Sequence, residues 1–284
     1  MISLQFIRDN RKLIEDTLSS KRVDLDLNEI LNLDIKRRAL IQEADILKAK
    51  RNTVSQQISE KKKNKQSAEE EIASMRVVSD KIKTLDVRLK KILKELDRLL
   101  LFIPNILHES VPEGLNPEHN VVIRDWGVKP DNKKFKDHIE ICDNLQLTDF
   151  ERASKMSGSA FPLYTKLGAK LERSLINYML DFHIEKHGYS ELMPPFLTTR
   201  NATTTTGQLP KLEDDMYYIE SDDLFCIPTA EVPVTNLYSN EILQEVDLPK
   251  KYVAYSACFR REAGSYGKDT RGLLRVHQFN KVEL

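Results

Sequence analysis

The sequence predicts an α+β protein in which a long pair of antiparallel helices precedes a globular domain of helices and strands. Apolar residues between positions 30 and 103 recur at alternating steps of three and four, the spacing of a coiled-coil seam. Residues 251–284 instead alternate between polar and apolar side chains, which is the period of a β-strand. A segment rich in proline and glycine separates the two patterns, so we expect an arm over 1–103, a linker over 104–135 and a domain over 136–284.

The composition excludes several classes of protein. Charged residues make up 31% of the chain, yet the formal net charge is zero, so any contact with nucleic acid must come from local patches. The three cysteines, Cys142, Cys226 and Cys258, are far apart and form no CxxC pair. We therefore expect a reduced, cytoplasmic protein without a disulfide scaffold or a zinc ribbon. The longest apolar run, Leu99–Ile103, is far shorter than the ~20 residues that a membrane span needs.

The arm is predicted as two antiparallel helices, each about 45–50 Å long at 1.5 Å per residue. The second helix has an unbroken seam, and the first has a seam interrupted at Arg37 and Arg51. The seam residues are Ile30, Leu33, Leu40, Ala44, Leu47, Val54 and Ile58 in the first helix and Met75, Val78, Ile82, Leu85, Leu89, Ile92, Leu96, Leu99 and Ile103 in the second. We expect Ser67 to cap the second helix, with Glu70 three residues later.

The arm ends in a basic tip over residues 61–67, which contains Lys61, Lys62, Lys63 and Lys65. Periodicity alone favours a spacer or a dimerising coiled coil with a solvated turn at its tip. The alternative is an arm that grips the phosphates of a nucleic acid through its tip and the basic side of its second helix. That basic side consists of Lys81, Lys83, Arg88, Lys90, Lys91 and Lys94.

Within the domain after the linker, the sequence predicts a helix over about Leu167–Lys186 that is capped by Gly188. His183 and His187 lie four residues apart on this helix, but the glutamate that a metalloprotease helix needs is misplaced, and we predict no metal site. The segment YSELMPPFL then predicts a strand that ends before its two prolines.

The last 34 residues predict a β-hairpin with one functional face. The segment KYVAYSACFRRE forms one strand, residues 263–272 form the loop, and LLRVHQFNKVEL forms the other strand. A symmetric closure places Arg260 near Arg275, and two facing arginines suit a polyanion between them. Phe279 offers a surface on which a base could stack, and Glu283 lies about 13 Å further along the same face. This row of side chains suits a nucleotide joined to an amino acid.

These segments closely resemble the seryl-tRNA synthetases of the bacterial type, along the whole chain. The most specific stretches are PTAEVPVTNL and CFRREAGSYGKDTRGLLRVHQFNKVE, the latter similar to the second signature of class II synthetases. The segment TKLGAKLERSLINYMLDFHIEKHGYSELMPPFL resembles the first signature, and TGQLPK matches as well. The resemblance implies part of an antiparallel catalytic β-sheet with flanking helices, a homodimer formed through residues 167–200, and an arm that holds serine tRNA.

The resemblance also implies a role for each site residue. Arg260 would bridge the α-phosphate of ATP and the serine carboxylate, and Arg275 would hold the terminal phosphate. Glu262 would face the amino group of adenine, Phe279 would stack on its ring, and Arg261 belongs to the same ATP-binding group. Serine would be bound by Thr229, Ala230, Glu231 and Glu283. ATP enters as a substrate with Mg²⁺, and serine passes through a seryl-adenylate to serine tRNA, or also to selenocysteine tRNA.

The family pattern continues beyond Glu283 with further strands and a third signature. We therefore expect a fragment or a prematurely ended chain that does not complete serine activation by itself. Two alternatives remain: a non-catalytic tRNA-binding or scaffolding protein, and a synthetase for another amino acid. The long arm together with the TAE triplet argues against the second alternative.

Overall fold

The computed structural model describes residues 2–128, 135–263 and 271–284, and the chain divides into two units, Met1–Trp126 and Gly127–Leu284. Most of the predicted loop over 263–272 and the end of the predicted linker lie outside the described residues. In the described part of the chain, no helix is both long enough and apolar enough to cross a membrane.

The first unit is helical. Two short helices, α1 (Leu4–Asp9) and α2 (Arg11–Ser20), precede the long helices α3 (Leu27–Lys63) and α4 (Glu69–Leu100). Helix α3 begins after Asp26, whose side chain accepts a hydrogen bond from the backbone N–H of Asn28. With 37 and 32 residues, the long helices pack along one another and form the predicted arm.

The coiled-coil seam is confirmed, since every predicted seam residue of both helices is buried or half-buried. The two helices bury their apolar stripes against each other, which is the main source of stability for a long helix in water. At the base of the arm, α1 and α2 add Ile7, Ile14 and Leu18 to a core that includes Ile30 and Leu96.

The interruption of the seam at Arg37 has a structural reason. The fully buried carboxylate of Asp34 accepts hydrogen bonds from Arg37 (Nη2, 2.8 Å), Arg38 (Nε, 3.2 Å) and Arg8 (Nη1, 2.5 Å). Burial by itself raises the pKa of Asp34, but the hydrogen bonds from Arg37 and Arg8 outweigh it and hold the pKa below its ordinary value. Because Arg8 belongs to α1, this cluster ties α1 to the arm.

The tip of the arm corrects one prediction. Helix α4 begins at Glu69, its capping position is Ala68, and no side chain caps it, so Ser67 is not the cap. The first turn instead contains Glu69, Glu70 and Glu71. Their negative charges stabilise the helix by interacting with the positive, N-terminal end of its dipole. Glu71 also pairs with Lys61 across the tip at 2.6 Å.

The second unit contains two three-stranded sheets with helices around them. Its helices are α5 (His138–Leu145), α6 (Phe150–Ser157), α7 (Lys166–His187), α8 (Arg200–Thr205) and α9 (Glu231–Thr235). Its strands are β1 (Ser190–Leu192), β2 (Leu197–Thr199), β3 (Tyr218–Ile219), β4 (Leu224–Cys226), β5 (Tyr252–Phe259) and β6 (Gln278–Glu283). The sheet orders are β1-β5-β6 and β2-β4-β3.

Strand pairing is antiparallel except between β1 and β5, which are parallel. The chain between these two strands is long enough for the crossover that a parallel pair requires. Both strands of the predicted hairpin are shorter than expected, because β5 ends at Phe259 and β6 begins only at Gln278. The segment before β6 carries Arg275 and is not part of a strand.

Helix α7 confirms its prediction and covers one face of the hairpin. It ends at Gly188, which has the left-handed φ of 67° that glycine adopts without a steric penalty. On the covered face, the Asn280 side chain donates to Glu172 of α7 at 3.0 Å and accepts a hydrogen bond from Tyr255. The other face of the hairpin is therefore the one available for a site.

Candidate active site

The register of the hairpin decides which side chains face each other. Ser256 pairs with Lys281, and Cys258 pairs with Phe279, so these side chains share the face opposite α7. Beyond the ladder, the backbone N–H of Arg260 donates to the carbonyl of His277 at 3.0 Å. Arg260 therefore lies opposite His277, and the predicted pairing with Arg275 is wrong. Symmetric closure about the loop gave a register two residues away from the observed one.

Arg275 nevertheless reaches the same cavity as Arg260. Its Nη1 donates to Oε2 of Glu262 at 3.1 Å, and the Arg275 side chain remains about half exposed. Glu262 lies at a left-handed φ of 50°, directly after Arg260 and Arg261. The sequence pattern predicted two neighbouring cations, Arg260 and Arg275, that would repel each other. The carboxylate of Glu262 beside Arg275 reduces this repulsion.

The cavity that these residues share has a volume of about 580 Å³. Its walls carry both acidic and basic groups, so it suits a ligand with charges of both signs. The lining residues are Gln208, Leu212, Asp215, Met216, Pro228, Thr229, Glu231, Arg260, Glu262, Arg275 and Lys281.

At one end of the cavity, Thr229 meets Glu283. The Thr229 hydroxyl donates to Oε2 of Glu283 at 2.7 Å, and the ammonium group of Lys281 pairs with the same oxygen. Burial by itself raises the pKa of Glu283, but hydrogen bonds from Lys281 and Thr229 outweigh it and lower the pKa below its ordinary value. The carboxylate is therefore held as an anion beside the cavity.

The segment around Thr229 is fixed by α9. The backbone N–H of Glu231 donates to the Thr229 hydroxyl at 3.2 Å, and Ala230 is fully buried at the start of this helix. Three of the five predicted serine-binding residues, Thr229, Glu231 and Glu283, thus lie together. Ala230 supports them from below the surface, and the fifth, Arg260, lines the same cavity as Thr229.

Phe279 and Arg261, both predicted to bind ATP, do not line the cavity beside the hairpin. The Arg260 guanidinium lies over the Phe279 ring, 5.0 Å from its centroid, and its Nε donates to the carbonyl of Pro228 at 3.4 Å. One face of Phe279 is thus covered by Arg260 in this state. Arg261 lies 5.7 Å from the ring centre of Tyr217 and lines a second cavity of about 670 Å³.

Sequence reasoning missed the supports of the site. Asp215 accepts backbone N–H bonds from Arg261 (carbonyl, 2.8 Å) and Ala263 (Oδ1, 2.8 Å), which holds the end of the first strand segment. Lys281, which shares the face of the hairpin opposite α7, is a second support that the sequence pattern did not mark. No local pattern could identify Asp215, because its partners lie almost 50 residues further along the chain.

The predicted tRNA-binding lysines lie at the tip of the arm, in the other unit. Lys62, Lys63 and Lys65 are exposed, whereas Lys61 is half-buried in its pair with Glu71. The six basic residues of the second helix, from Lys81 to Lys94, are all exposed.

Comparison with known proteins gives one consistent answer for both units. Residues 1–107 match the model of the seryl-tRNA synthetase N-terminal domain, and residues 212–284 match the class II core domain of the tRNA synthetases for G, H, P, S and T. The serine–tRNA ligase of Chloroherpeton thalassium is 50% identical over the full chain, which covers 68% of that protein. The serine–tRNA ligase of Listeria welshimeri is also 50% identical, with 67% of its length covered.

Solved structures agree with this result. The seryl-tRNA synthetase of Pyrococcus horikoshii, solved with ATP, matches 99% of this chain and 68% of its own, with a TM-score of 0.85 and 34% identity. The cytoplasmic serine–tRNA ligase of Naegleria fowleri, solved with AMP, matches 96% of this chain and 63% of its own, with a TM-score of 0.76 and 29% identity. With the helical arm, the hairpin site and these similarities in agreement, the chain belongs to the seryl-tRNA synthetase family, a family of class II enzymes.

Proposed function

We propose that the cavity beside the hairpin binds ATP and L-serine and supports formation of seryl-adenylate, from which serine passes to serine tRNA. The observation that carries this proposal is that Thr229, Arg260 and Arg275, which come from separate segments, line one cavity. Glu283 is joined to this cavity through its hydrogen bond with Thr229. Selenocysteine tRNA, which would also receive serine, is part of the same proposal.

In the proposed reaction, the serine carboxylate attacks the α-phosphate of ATP and pyrophosphate leaves. This step needs alignment and charge stabilisation, and no protein nucleophile takes part. Arg260 would hold the carboxylate and the α-phosphate together, and Arg275 would hold the terminal phosphate. The exposure of the Arg275 side chain leaves its remaining N–H groups accessible to a phosphate.

Serine recognition would depend on Glu283 and Thr229. The lowered pKa keeps Glu283 anionic at neutral pH, which is the state that binds an ammonium group. A site built to hydrogen-bond a hydroxyl strongly rejects a ligand that lacks it, because the polar groups of the site are then left without a partner. A small site built from a carboxylate and a hydroxyl therefore favours serine over alanine.

Mg²⁺ would enter with ATP as part of that substrate. In residues 2–128, 135–263 and 271–284, no group of three histidine, cysteine, aspartate or glutamate side chains could hold a metal ion. Phosphate oxygens and water are the usual ligands of Mg²⁺ on a nucleotide, with one or two carboxylates added. Glu262 lines the cavity and fits that supporting role.

The arm would grip serine tRNA by its phosphates. The exposed lysines of the tip and the exposed basic row on α4 support this role, because phosphate binding needs accessible cations rather than a particular sequence. The three free cysteines are consistent with a cytoplasmic protein, the location that we propose for this function.

We also propose a homodimer formed through the 167–200 region. Helix α7 leaves large apolar side chains exposed, and a contiguous apolar patch of this kind is typical of an interface. The exposed residues are Leu167, Leu171, Leu175, Tyr178, Met179 and Phe182.

A binding experiment tests the adenylate site directly. We would titrate the chain with a sulfamoyl analogue of seryl-adenylate, which cannot react, and measure its Kd by calorimetry. Arg260→Ala and Glu283→Gln are each expected to weaken binding by about 10–100-fold, the range for a lost hydrogen bond to a charged group. The exposed Arg152, which pairs with Asp149 outside the cavity, provides the control Arg152→Ala.

If the chain binds tRNA but all three variants bind the analogue as the unmodified chain does, the adenylate site is not where we place it. Binding of tRNA with no analogue binding at all would favour the alternative of a non-catalytic tRNA-binding protein.

A further inference from the structure

The segment that carries Arg275 is held in place from outside the hairpin. On one side of Arg275, the backbone N–H of Leu273 donates to Nε2 of His138 at 3.1 Å. On the other side, the backbone N–H of His277 donates to the carbonyl of Ala160 at 2.8 Å. Both acceptors belong to residues 138–160, which contribute no strand to the sheet of the hairpin.

The contact at His138 is tight. Gly272, directly before Leu273, has a φ of 70°, and a Cβ atom there would lie 2.3 Å from Nε2 of His138 and 2.8 Å from Cγ1 of Ile139. Both distances are well below van der Waals contact, so only glycine fits at position 272. The imidazole ring and this backbone therefore fix each other's positions.

His138 is itself anchored. It is the first residue of α5, and Asp137 caps that helix by accepting the backbone N–H of Glu140 at 2.8 Å. A ring that accepts at Nε2 carries its proton on Nδ1, so the neutral imidazole is the form that makes this bond.

Arg275 depends on such an anchor more than Arg260 does. The backbone of Arg260 makes two hydrogen bonds with His277: its N–H donates to the His277 carbonyl, and its own carbonyl accepts from Nδ1 of the His277 ring at 3.0 Å. Arg275 lies outside the ladder, and its side chain is about half exposed. The position of its guanidinium is therefore set by the bond to Glu262 and by the backbone between Leu273 and His277.

We propose that His138 is a positioning residue for ATP: by holding the N–H of Leu273, it sets the backbone from which Arg275 reaches the terminal phosphate. This inference rests on the proposed role of Arg275. Loss of the bond would let the Arg275 backbone move while Arg260 keeps its place. A ligand with a terminal phosphate should then lose affinity, and a ligand with only the α-phosphate should not.

The test compares ATP with AMP in four variants by calorimetry. His138→Leu keeps the approximate bulk of the ring but removes the acceptor, and we expect it to weaken ATP binding about tenfold while AMP binding changes less than about twofold. His138→Gln places an acceptor oxygen at a similar reach and should restore ATP affinity to within about threefold of the original. Gly272→Ala adds a Cβ atom that would clash with Nε2 of His138 and displace the ring from Leu273. This variant should therefore act like His138→Leu. Arg275→Ala is the reference for loss of the phosphate contact.

The outcomes separate the inference from the function on which it rests. If the chain does not bind ATP, or Arg275→Ala leaves ATP affinity unchanged, the proposed phosphate role of Arg275 fails and the inference fails with it. If Arg275→Ala weakens ATP binding but His138→Leu does not, or weakens ATP and AMP equally, His138 is not a positioning residue although the proposed function stands. Should His138→Leu fail to fold by circular dichroism, the same ATP and AMP comparison on Gly272→Ala and His138→Gln decides.

Discussion

At the scale of single residues, the site depends on pairs of side chains that are distant in sequence. Thr229 and Glu283 are 54 residues apart, and Arg275 and Glu262 are 13 apart, yet each pair is in hydrogen-bond contact. Lys281 lies two residues from Glu283 and shares its Oε2 atom with Thr229. The charge of Glu283 therefore depends on a residue for which the sequence suggested no role.

The first prediction concerns this charge. Lys281→Met removes the cation that lowers the pKa of Glu283, whereas the burial that raises it remains, so the pKa should rise. The low pKa keeps Glu283 anionic into the acidic range. Since the anion is the form that binds the ammonium group of the seryl-adenylate analogue, binding should be lost as pH falls through the pKa of Glu283. In Lys281→Met the loss should occur at a higher pH, which titrations between about pH 4 and pH 7 would reveal.

Lys250→Met is the matched control, since Lys250 lies over the Tyr238 ring and does not line the cavity beside the hairpin. An unchanged pH profile in Lys281→Met would show that Glu283 does not need this cation.

At the scale of elements, a buried charge cluster ties helix α1 to helix α3. Asp34 on α3 binds Arg8 on α1 and Arg37 and Arg38 on its own helix. A buried carboxylate with several arginine partners is costly to leave half-paired. The cluster therefore fixes where α1 packs against α3. It also pairs Arg37, which stands at a seam position where an apolar residue is expected, so that the two long helices remain in contact there.

The second prediction concerns this cluster. Asp34→Asn leaves three partly exposed arginines without their shared anion and should lower the stability of the first unit by about 1.5–3 kcal/mol at pH 7, the cost of losing hydrogen bonds to a charged group. The folded pKa of Asp34 is lowered, so its contribution is present above the unfolded pKa and disappears as pH falls through the folded value. Asp34→Asn should therefore also weaken the pH dependence of unfolding in acid.

Thermal unfolding followed by circular dichroism at several pH values would measure both effects. Asp16→Asn, at an exposed pair on α2, is the control and should change stability by less than about 1 kcal/mol.

The third prediction concerns the tip between α3 and α4. The triple variant Lys62→Glu, Lys63→Glu and Lys65→Glu should weaken binding of serine tRNA and flatten the dependence of log K on log salt concentration, by about 0.7–0.9 per lost phosphate contact. Lys61 is left unchanged because its pair with Glu71 supports the turn. Filter binding across a range of salt concentrations would measure the slope.

The control has the same change in charge at exposed positions away from the tip: Lys12→Glu on α2, and Arg152→Glu and Lys155→Glu on α6. Equal slopes for the tip variant and the unmodified chain would leave the arm as a spacer.

At the scale of the whole molecule, the second unit has an apolar surface along α7 that the described part of its own fold does not cover. Helix α7 packs one side against β5 and β6 and leaves Leu171 and Tyr178 about half exposed or more. A surface of this kind is unfavourable in water unless a partner covers it. A second copy of this chain is the partner that the family resemblance implies.

The fourth prediction is that Leu171→Asp combined with Tyr178→Asp converts the protein to a monomer. A charge at the centre of an apolar interface must be desolvated without a partner, which costs more than the contact contributes. Light scattering after size-exclusion chromatography would give the mass. Ile46→Asp, which alters an equally exposed apolar side chain on α3, should leave the mass unchanged. A monomer before any substitution would refute the proposed dimer.

The sequence by itself determined the helices of the arm, the seam between them and the face of the hairpin that carries the site. These features follow from periodicity, because a helix or strand assigns side chains to faces by local geometry alone. Recognisable motifs also predicted Arg260, Arg275, Thr229 and Glu283 as candidate site residues. Only the tertiary structure decided the register that places Arg260 opposite His277 and the contacts that pin Arg275 from residues 138–160. Those features depend on pairing between segments that are distant along the chain, and no local pattern encodes the offset between them.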